Sequence, residues 1–303
     1  MAFAELEMVS PDGQLFHELS WQHERTVPLW RHVQRLTAPN ANVMTGPGTN
    51  TYIVGEPATG YAIIDAGPAD DSHLDRLEAI THGEIRWLVC THSHADHSPG
   101  AVALQQRLRA RGSEVPLYGM PSGPNAGPAA EFHPSHPVTD EQVLVLRGRS
   151  EAGEEISHSL RCIFTPGHAA NHVCLLLEED ALLFSGDHIL NGSTTIINPP
   201  DGHMDDYLKS LDRLASVAEA EGVSYILPAH GHVLGKAGAV IAHLKAHRLA
   251  REAKVIAAMR AKPEGDEDDW VALAYADTPP GLWPMAKRSM AAHLQRIRDL
   301  GLV

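Results

Sequence analysis

The sequence predicts an α/β layered domain followed by a small helical unit. Three observations predict it. β-rich runs separated by turn residues open the pattern at Thr51–Val54 and Tyr61–Ile64. Short apolar strands then alternate with amphipathic helical stretches, which suits layers better than a bundle or a sandwich of sheets alone. After about His243 only helical periodicity remains.

Taken in order, residues 1–42 carry no motif. Trp21, Val27, Leu29, Trp30, Val33 and Leu36 are expected to pack on the core, making 1–42 an extension of a domain over 43–243. Gly55 to Gly60, with Pro57 inside, separates the first two strands as a hairpin. Leu74, Leu77 and Ile80 predict a helix over 71–82. Ile85–Cys90 reads as a strand, Ala101–Leu108 as a helix and Val115–Tyr118 as a strand. The stretch from Met120 to Pro137, rich in Pro, Gly and His, reads as a long surface loop. Strands are expected at Val143–Leu146, Leu160–Phe164, Val173–Leu177, Ala181–Phe184 and Tyr225–Leu227. Tyr207, Leu208, Leu211, Leu214 and Val217 share one side of a helix over 205–220. Helices at Ala246–Ala261, Trp270–Ala276 and Trp283–Leu300 form a second domain over 244–303. An acidic loop at Pro263–Asp269 and the break Pro279-Pro280-Gly281 separate them.

The bulk composition bounds the function. A chain of 303 residues, 43% hydrophobic and 20% charged, has room for one large and one small globular unit. The net charge of −14 repels polyanions, so a nucleic-acid role needs a local basic patch. From Lys245 onward about ten Lys and Arg stand against eight Asp and Glu, only a weakly basic balance. Cys90, Cys162 and Cys174 sit in apolar runs without a CxxC pair, which suits buried free thiols in a reducing compartment. No apolar stretch approaches the roughly 18 residues of a membrane span, and Glu5, Glu7 and Asp12 do not suit a signal peptide. A cytoplasmic protein without a membrane partner is expected.

The chain holds 20 histidines, and their positions matter more than their number. Thr91-His92-Ser93-His94-Ala95-Asp96-His97 follows directly on an apolar strand. Alternate residues of extended chain point the same way, so His92 and His94 can share one metal while Asp96 and His97 turn toward a neighbouring point. Thr165-Pro166-Gly167-His168, Ser185-Gly186-Asp187-His188 and Ala229-His230-Gly231-His232 each follow another strand. A carboxylate such as Asp187 has two oxygens and can bridge two cations. In layered α/β folds, sites gather at the carboxyl ends of strands. His172 and His188 are candidate proton donors to a leaving group. His133, His136 and His232 are expected in solvent.

These motifs, with Asp65 in Ile64-Asp65-Ala66-Gly67, resemble the metallo-β-lactamase fold hydrolases over about residues 43–235. The resemblance implies a four-layer αββα sandwich and a binuclear zinc centre, with iron or manganese as further candidates. His92, His94 and His168 would hold the first metal. Asp96, His97 and His230 would hold the second, Asp187 would bridge, and Asp65 would steady the ligand loop without touching metal. A hydroxide bridging the metals would attack an ester-type bond, with Asp96 also in a catalytic role.

The run Thr45-Gly46-Pro47-Gly48-Thr49-Asn50-Thr51-Tyr52, with the helical tail, looks like the lactamase-like group that includes a mitochondrial endoribonuclease. That group carries a C-terminal winged-helix-like region, and Ala291-Ala292-His293-Leu294 lies in the similar part of this chain. The likeness suggests a phosphodiester substrate, single-stranded RNA. The alternative is a small-molecule ester, cleaved by a thioesterase or lactonase of the glyoxalase-II-like type. β-Lactam hydrolysis fits less well, because many such enzymes carry Cys in the second site and are exported. His94 stands where the flavodiiron type carries Glu; a single-iron sulfur dioxygenase stays open on ligands alone. A reading of another class is a winged-helix binding module on an inactive hydrolase, but all seven expected ligands are intact. A homodimer also stays open.

Overall fold

The computed structural model describes residues 23–303. Val27–Trp30 (β1) and Val33–Thr37 (β2) form one antiparallel hairpin, and Asn50–Glu56 (β3) and Gly60–Ile64 (β4) form the next. β2 pairs with β3 and joins them. Ile85–Val89 (β5), Leu117–Gly119 (β6) and His136–Pro137 (β7) add in parallel. The first sheet therefore runs β1 to β7 in chain order. Helix α1 (Asp71–Ile80) and helix α2 (Ser98–Ala110) are its crossovers.

Val143–Arg149 (β8), Glu155–Phe164 (β9), Val173–Leu177 (β10) and Leu182–Gly186 (β11) form an antiparallel meander. Helix α3 (Met204–Ala220) then crosses to Tyr225–Pro228 (β12), parallel to β11, and Leu234–Gly235 (β13) closes the edge. The second sheet has the order β13-β12-β11-β10-β9-β8. Helix α4 (Ala237–Ala261), helix α5 (Glu267–Ala274) and helix α6 (Trp283–Asp299) complete the chain.

Burial explains the layering. All five residues of β10 are buried, and they alternate between two cores. Val173, Leu175 and Leu177 face β4 residues Ala62 and Ile64 between the sheets. Cys174 and Leu176 face Tyr207, Leu211 and Leu214 of α3, with Val240, Ile241 and Leu244 of α4. β4 does the same in mirror image, sending Tyr61 and Ile63 toward Leu74 and Leu77 of α1 and Leu104 of α2. A strand covered on both faces reads as a continuous apolar run, so the four layers are α1/α2, sheet, sheet and α3/α4.

Several elements depart from the sequence expectation. The part of the 1–42 segment that is described holds β1 and β2, with Leu29, Val33 and Leu36 buried; Trp21 lies outside the described residues. The loop from Met120 to Pro137 ends in the two-residue strand β7. The strands expected at Val143–Leu146 and Leu160–Phe164 are present but longer, since β8 and β9 pair as far as Arg149↔Glu155. Helix α4 begins nine residues before Ala246, at Ala237, and carries one continuous helix across the expected boundary at 243. Its first half packs in the sheet-facing core, and Val255, Ala258 and Met259 pack with Val271, Met290, Leu294 and Ile297 of the C-terminal unit.

His73 of α1 is fully buried, with Nε2 2.9 Å from the Thr51 hydroxyl. Burial pushes its pKa down to about 4. The unfolded chain takes up this proton near pH 6.5 and the folded chain refuses it until about pH 4, so stability falls as the pH drops through that window. Urea midpoints should decline from pH 6.5 to 4, and His73→Gln should flatten that slope; an unchanged slope would remove the assignment.

Candidate metal centre

The expected site residues come from five strand ends, four of them carrying ligands. Asp65 follows β4, the His92–His97 run follows β5, His168 follows β9, Asp187 follows β11 and His230 follows β12. The carboxyl ends of both sheets meet here, so residues remote in sequence become neighbours.

Two groups of side chains form. His92, His94 and His168 make one, and Asp96, His97, Asp187 and His230 the other, each with ligand atoms within 4.8 Å of one another. In the first, His94 Nδ1 lies 3.0 Å from Nε2 of both His92 and His168. In the second, His230 Nε2 is 3.2 Å from Asp96 Oδ2 and 3.3 Å from Asp187 Oδ1, while His97 Nε2 is 3.4 Å from Asp187 Oδ1. Tetrahedral zinc with nitrogen ligands at about 2.0–2.1 Å needs ligand–ligand edges of about 3.3 Å. The observed edges cluster about that length. Asp187 spans the groups: Oδ1 faces the second, and Oδ2 is 3.5 Å from His168 Nε2 of the first.

The donor chemistry fits a metal as well. His97 Nε2 and Asp187 Oδ1 are buried and make no hydrogen bond. Such orphaned groups are costly without a cation between them. The outward nitrogens of the histidines are held from behind. His97 Nδ1 donates to Asp65 Oδ2 at 3.0 Å, His168 Nδ1 to the Ile196 carbonyl at 2.8 Å and His230 Nδ1 to the Gly48 carbonyl at 3.2 Å. His92 Nδ1 lies 3.1 Å from the Thr91 hydroxyl, and His94 Nε2 3.6 Å from Asp201 Oδ2. A proton on the rear nitrogen leaves the lone pair facing inward, the tautomer a metal requires.

Electrostatics agree. Burial pushes His92 well down and His168 to about 4, so both rings stay neutral and able to ligate. Burial opposes charge on His97, but Asp96, Asp187 and Asp65 outweigh it and raise its pKa. Burial would raise the carboxyls of Asp96 and Asp187; the nearby His97 and His230 instead hold both below the usual carboxylate range. The second group is thus a cation-attracting pair of carboxylates.

Asp65 is buried and does not enter either group. Its Oδ1 accepts the Thr91 N–H at 2.8 Å, and its Oδ2 accepts the Thr91 hydroxyl at 2.7 Å and His97. His172 and His188 are also fully buried and stand behind the ligands, outside the lining of the cavity. His172 Nε2 accepts the Asp187 N–H at 3.2 Å while Nδ1 meets the Thr165 hydroxyl at 2.9 Å, so both nitrogens are engaged. The His188 ring stacks 4.4 Å from Tyr207, and burial pushes its pKa down to about 3.

Five contributors carried no motif in the sequence. Asp201 and Thr195 lie in the loop after β11 and contact His94 and His168. Arg248 of α4 donates to the Thr195 carbonyl, and Met285 and Arg288 of α6 line the cavity. Only proximity in space connects them to the ligands. Gly167 is different, since its φ of +139° marks a left-handed turn, and a Cβ there would meet the Tyr207 backbone at 2.3 Å.

A four-layer fold with His and Asp ligands at the sheet junction defines the class of metal-binding αββα hydrolases. The metallo-beta-lactamase superfamily model matches residues 44–230, and the chain belongs to that superfamily of hydrolases. A model of the beta-lactamase associated winged helix domain matches residues 267–303. Those residues are helical, and no strand follows β13 among the described residues. The chain is 28% identical over 274 residues to a beta-lactamase-like protein 2 homolog of Caenorhabditis elegans, covering 89% of this chain and 85% of that one. It is 29% identical over 252 residues to an atrochrysone carboxyl ACP thioesterase of Aspergillus chevalieri, covering 80% and 72%. A beta-lactamase domain protein from Burkholderia ambifaria shares the fold at a TM-score of 0.75 and 19% identity, over 99% of this chain and 94% of that one.

Asp65→Asn replaces an acceptor of three hydrogen bonds with a group that must present NH2 to at least one donor. Metal affinity should fall about 10–100-fold with the fold retained, as read by competition with a chelator and by circular dichroism. Wild-type affinity in this variant would refute the role.

Proposed function

We propose that the chain is a two-zinc hydrolase acting on an ester or thioester of an apolar acyl group. The observation that carries this reading is the cavity over the metal centre. It has a volume of about 870 Å³ and borders His94, Asp96, His168, Asp187 and His230. Val43, Met44, Leu190, Ile196 and Met285 give it apolar walls, and among the described residues Arg288 is the only Lys or Arg lining it. Apolar walls with a few convergent polar groups are the usual form of a small-molecule site. RNA binding relies on a basic track with aromatic stacking platforms, and one arginine is a weak beginning for that. The thioesterase named among the relatives supports the same reading.

His92, His94 and His168 would hold one ion, Asp96, His97 and His230 the other, with Asp187 shared. Imidazole-rich sites with carboxylates suit zinc, and iron or manganese is the alternative load. Bound metal supplies a water of lowered pKa and a Lewis acid for the scissile oxygen. The protein's own groups do the rest. The apolar walls exclude water from the acyl chain. The Asp96 side chain, 29% exposed and lining the cavity, can accept a proton from the attacking water. Arg288, exposed on α6, can pair with a carboxylate or phosphate carried by the leaving part of the substrate. His172 holds the Asp187 backbone in place.

The purified protein should turn over acyl thioesters, contain about two zinc per chain and lose activity to a chelator. His94→Ala and Asp187→Ala should each lose metal and turnover while remaining folded. Cleavage of single-stranded RNA with no thioester, ester or lactone turnover would overturn the proposal.

Arg288→Ala should lower kcat/KM about 10–100-fold for thioesters bearing an anionic group, the worth of one charge-assisted hydrogen bond, and leave neutral esters nearly unaffected. Equal losses on both substrates would remove the anchoring role.

A further inference from the structure

A second cluster of ligand-type side chains lies at the far end of the sandwich. His158 sits near the start of β9, seven residues before Thr165 at the metal-centre end, or about 23 Å away along an extended strand. His32 comes from the turn between β1 and β2, and Glu56 ends β3, both in the first sheet. Glu179 and Asp180 come from the turn between β10 and β11 in the second sheet. The cluster therefore joins the two sheets where the catalytic ligands do not.

His32, His158 and Glu179 each offer a ligand atom within 4.8 Å of the others. His32 Nε2 lies 2.6 Å from Asp180 Oδ2, and His158 Nδ1 3.0 Å from Glu179 Oε1. Glu56 Oε1 is 3.8 Å from His158 Nε2, which is buried and makes no hydrogen bond. The carboxylates of Glu56, Glu179 and Asp180 are each about a quarter to a third exposed, so the cluster is open to ions from solvent.

Charge decides what the cluster takes. Asp180 pairs with His32, Glu56 and Glu179 pair with His158, and Glu179 also accepts the Ser159 N–H at 3.1 Å. Protonating both rings would place two positive charges at ring centroids 4.5 Å apart, which repel at that range. One divalent ion neutralises the carboxylates and leaves both rings neutral. Two imidazoles with carboxylates suit a borderline transition metal, zinc first, with cobalt or nickel accepted.

We propose that His32, His158 and Glu179, with Asp180 beside them and Glu56 behind His158, form a second divalent-metal site that clasps the two sheets. The ion is structural and takes no part in hydrolysis. Metal that binds only the folded chain stabilises it by mass action.

The test compares the full-length wild type with His32→Ala and Glu179→Gln, two partly exposed positions whose replacement leaves the core packing intact. Each protein is loaded with Zn²⁺ or Co²⁺ alone, and its metal content, thioester turnover and thermal midpoint are measured. The expected result is one fewer equivalent of metal in each variant, unchanged turnover, and a midpoint rise in excess metal about 5 °C smaller than in wild type. Equal metal content in all three proteins overturns the proposal. Loss of metal together with turnover also overturns it, because the missing ion would then belong to the catalytic centre.

Discussion

The Asp65 carboxylate is the constraint on which the rest of the centre depends. It sits where the first sheet's hairpin ends, in a left-handed turn with φ of 50° that aspartate tolerates better than most residues. From there it fixes both ends of the ligand run, Thr91 at the entrance and His97 at the turn into α2. Gly100, one turn into α2, lets the helix settle on the same loop, since a Cβ there would meet the Ala66 carbonyl at 2.5 Å and the Gly67 carbonyl at 2.6 Å. The first sheet thus holds the run at Thr91 and His97, and the second sheet adds the Val173 N–H to the Thr91 carbonyl at 2.8 Å. Ligands preorganised in this way bind metal without first paying for their own ordering.

The second sheet completes the centre through a set of linked contacts. β11 delivers Asp187, and His172 at the entrance to β10 accepts its backbone N–H. Gly167 allows the His168 loop to lie against α3. His168 is then oriented by Thr195 and Ile196, and Arg248 of α4 holds the Thr195 carbonyl. Arg248 also lies over the Tyr207 ring, which stacks on His188. The C-terminal unit is thereby wired to the candidate ligand His168 through one continuous helix, in addition to lining the cavity with Met285 and Arg288. Its attachment includes the ion pairs of Arg296 with Glu252 and Asp205, and the hydrogen bond between His293 Nδ1 and Glu252 Oε2 at 3.2 Å. A binding unit loosely tethered to a finished enzyme would have no reason to reach into the catalytic cleft.

What was legible in the sequence was what is local along the chain. The His92–His97 run, His168, Asp187 and His230 each follow an apolar strand, so a strand-end rule was enough to place them. The four layers also left a trace, because β4, β10 and β11 are covered on both faces and read as unbroken apolar runs. The β1–β2 hairpin left almost none. β1 is four residues long with a register shift and one exposed position, so no clean alternation survives. The start of α4 was hidden for another reason. Lys236 opens it in a left-handed conformation without a side-chain cap, so the usual Ser, Thr or Asp signal is missing. Asp201, Thr195 and Arg288 had no motif because their partners are supplied by other segments.

The same contrast bears on substrate choice. Metal ligands are dictated by coordination chemistry and recur as short strings, whereas the wall of the cavity is assembled from Val43 and Met44 before the first hairpin, Leu190 and Ile196 after β11, and Met285 and Arg288 on α6. No string of residues encodes that surface. The global charge of −14 says little about it as well, because a single arginine at the rim and two metal ions at the base would set the local field. Under the proposed function, an acyl group lying along the apolar wall would bring its carbonyl to the metal end, and an anionic leaving part would point toward Arg288. Discrimination among esters would then follow from the walls and the rim, with the same chemistry at the base.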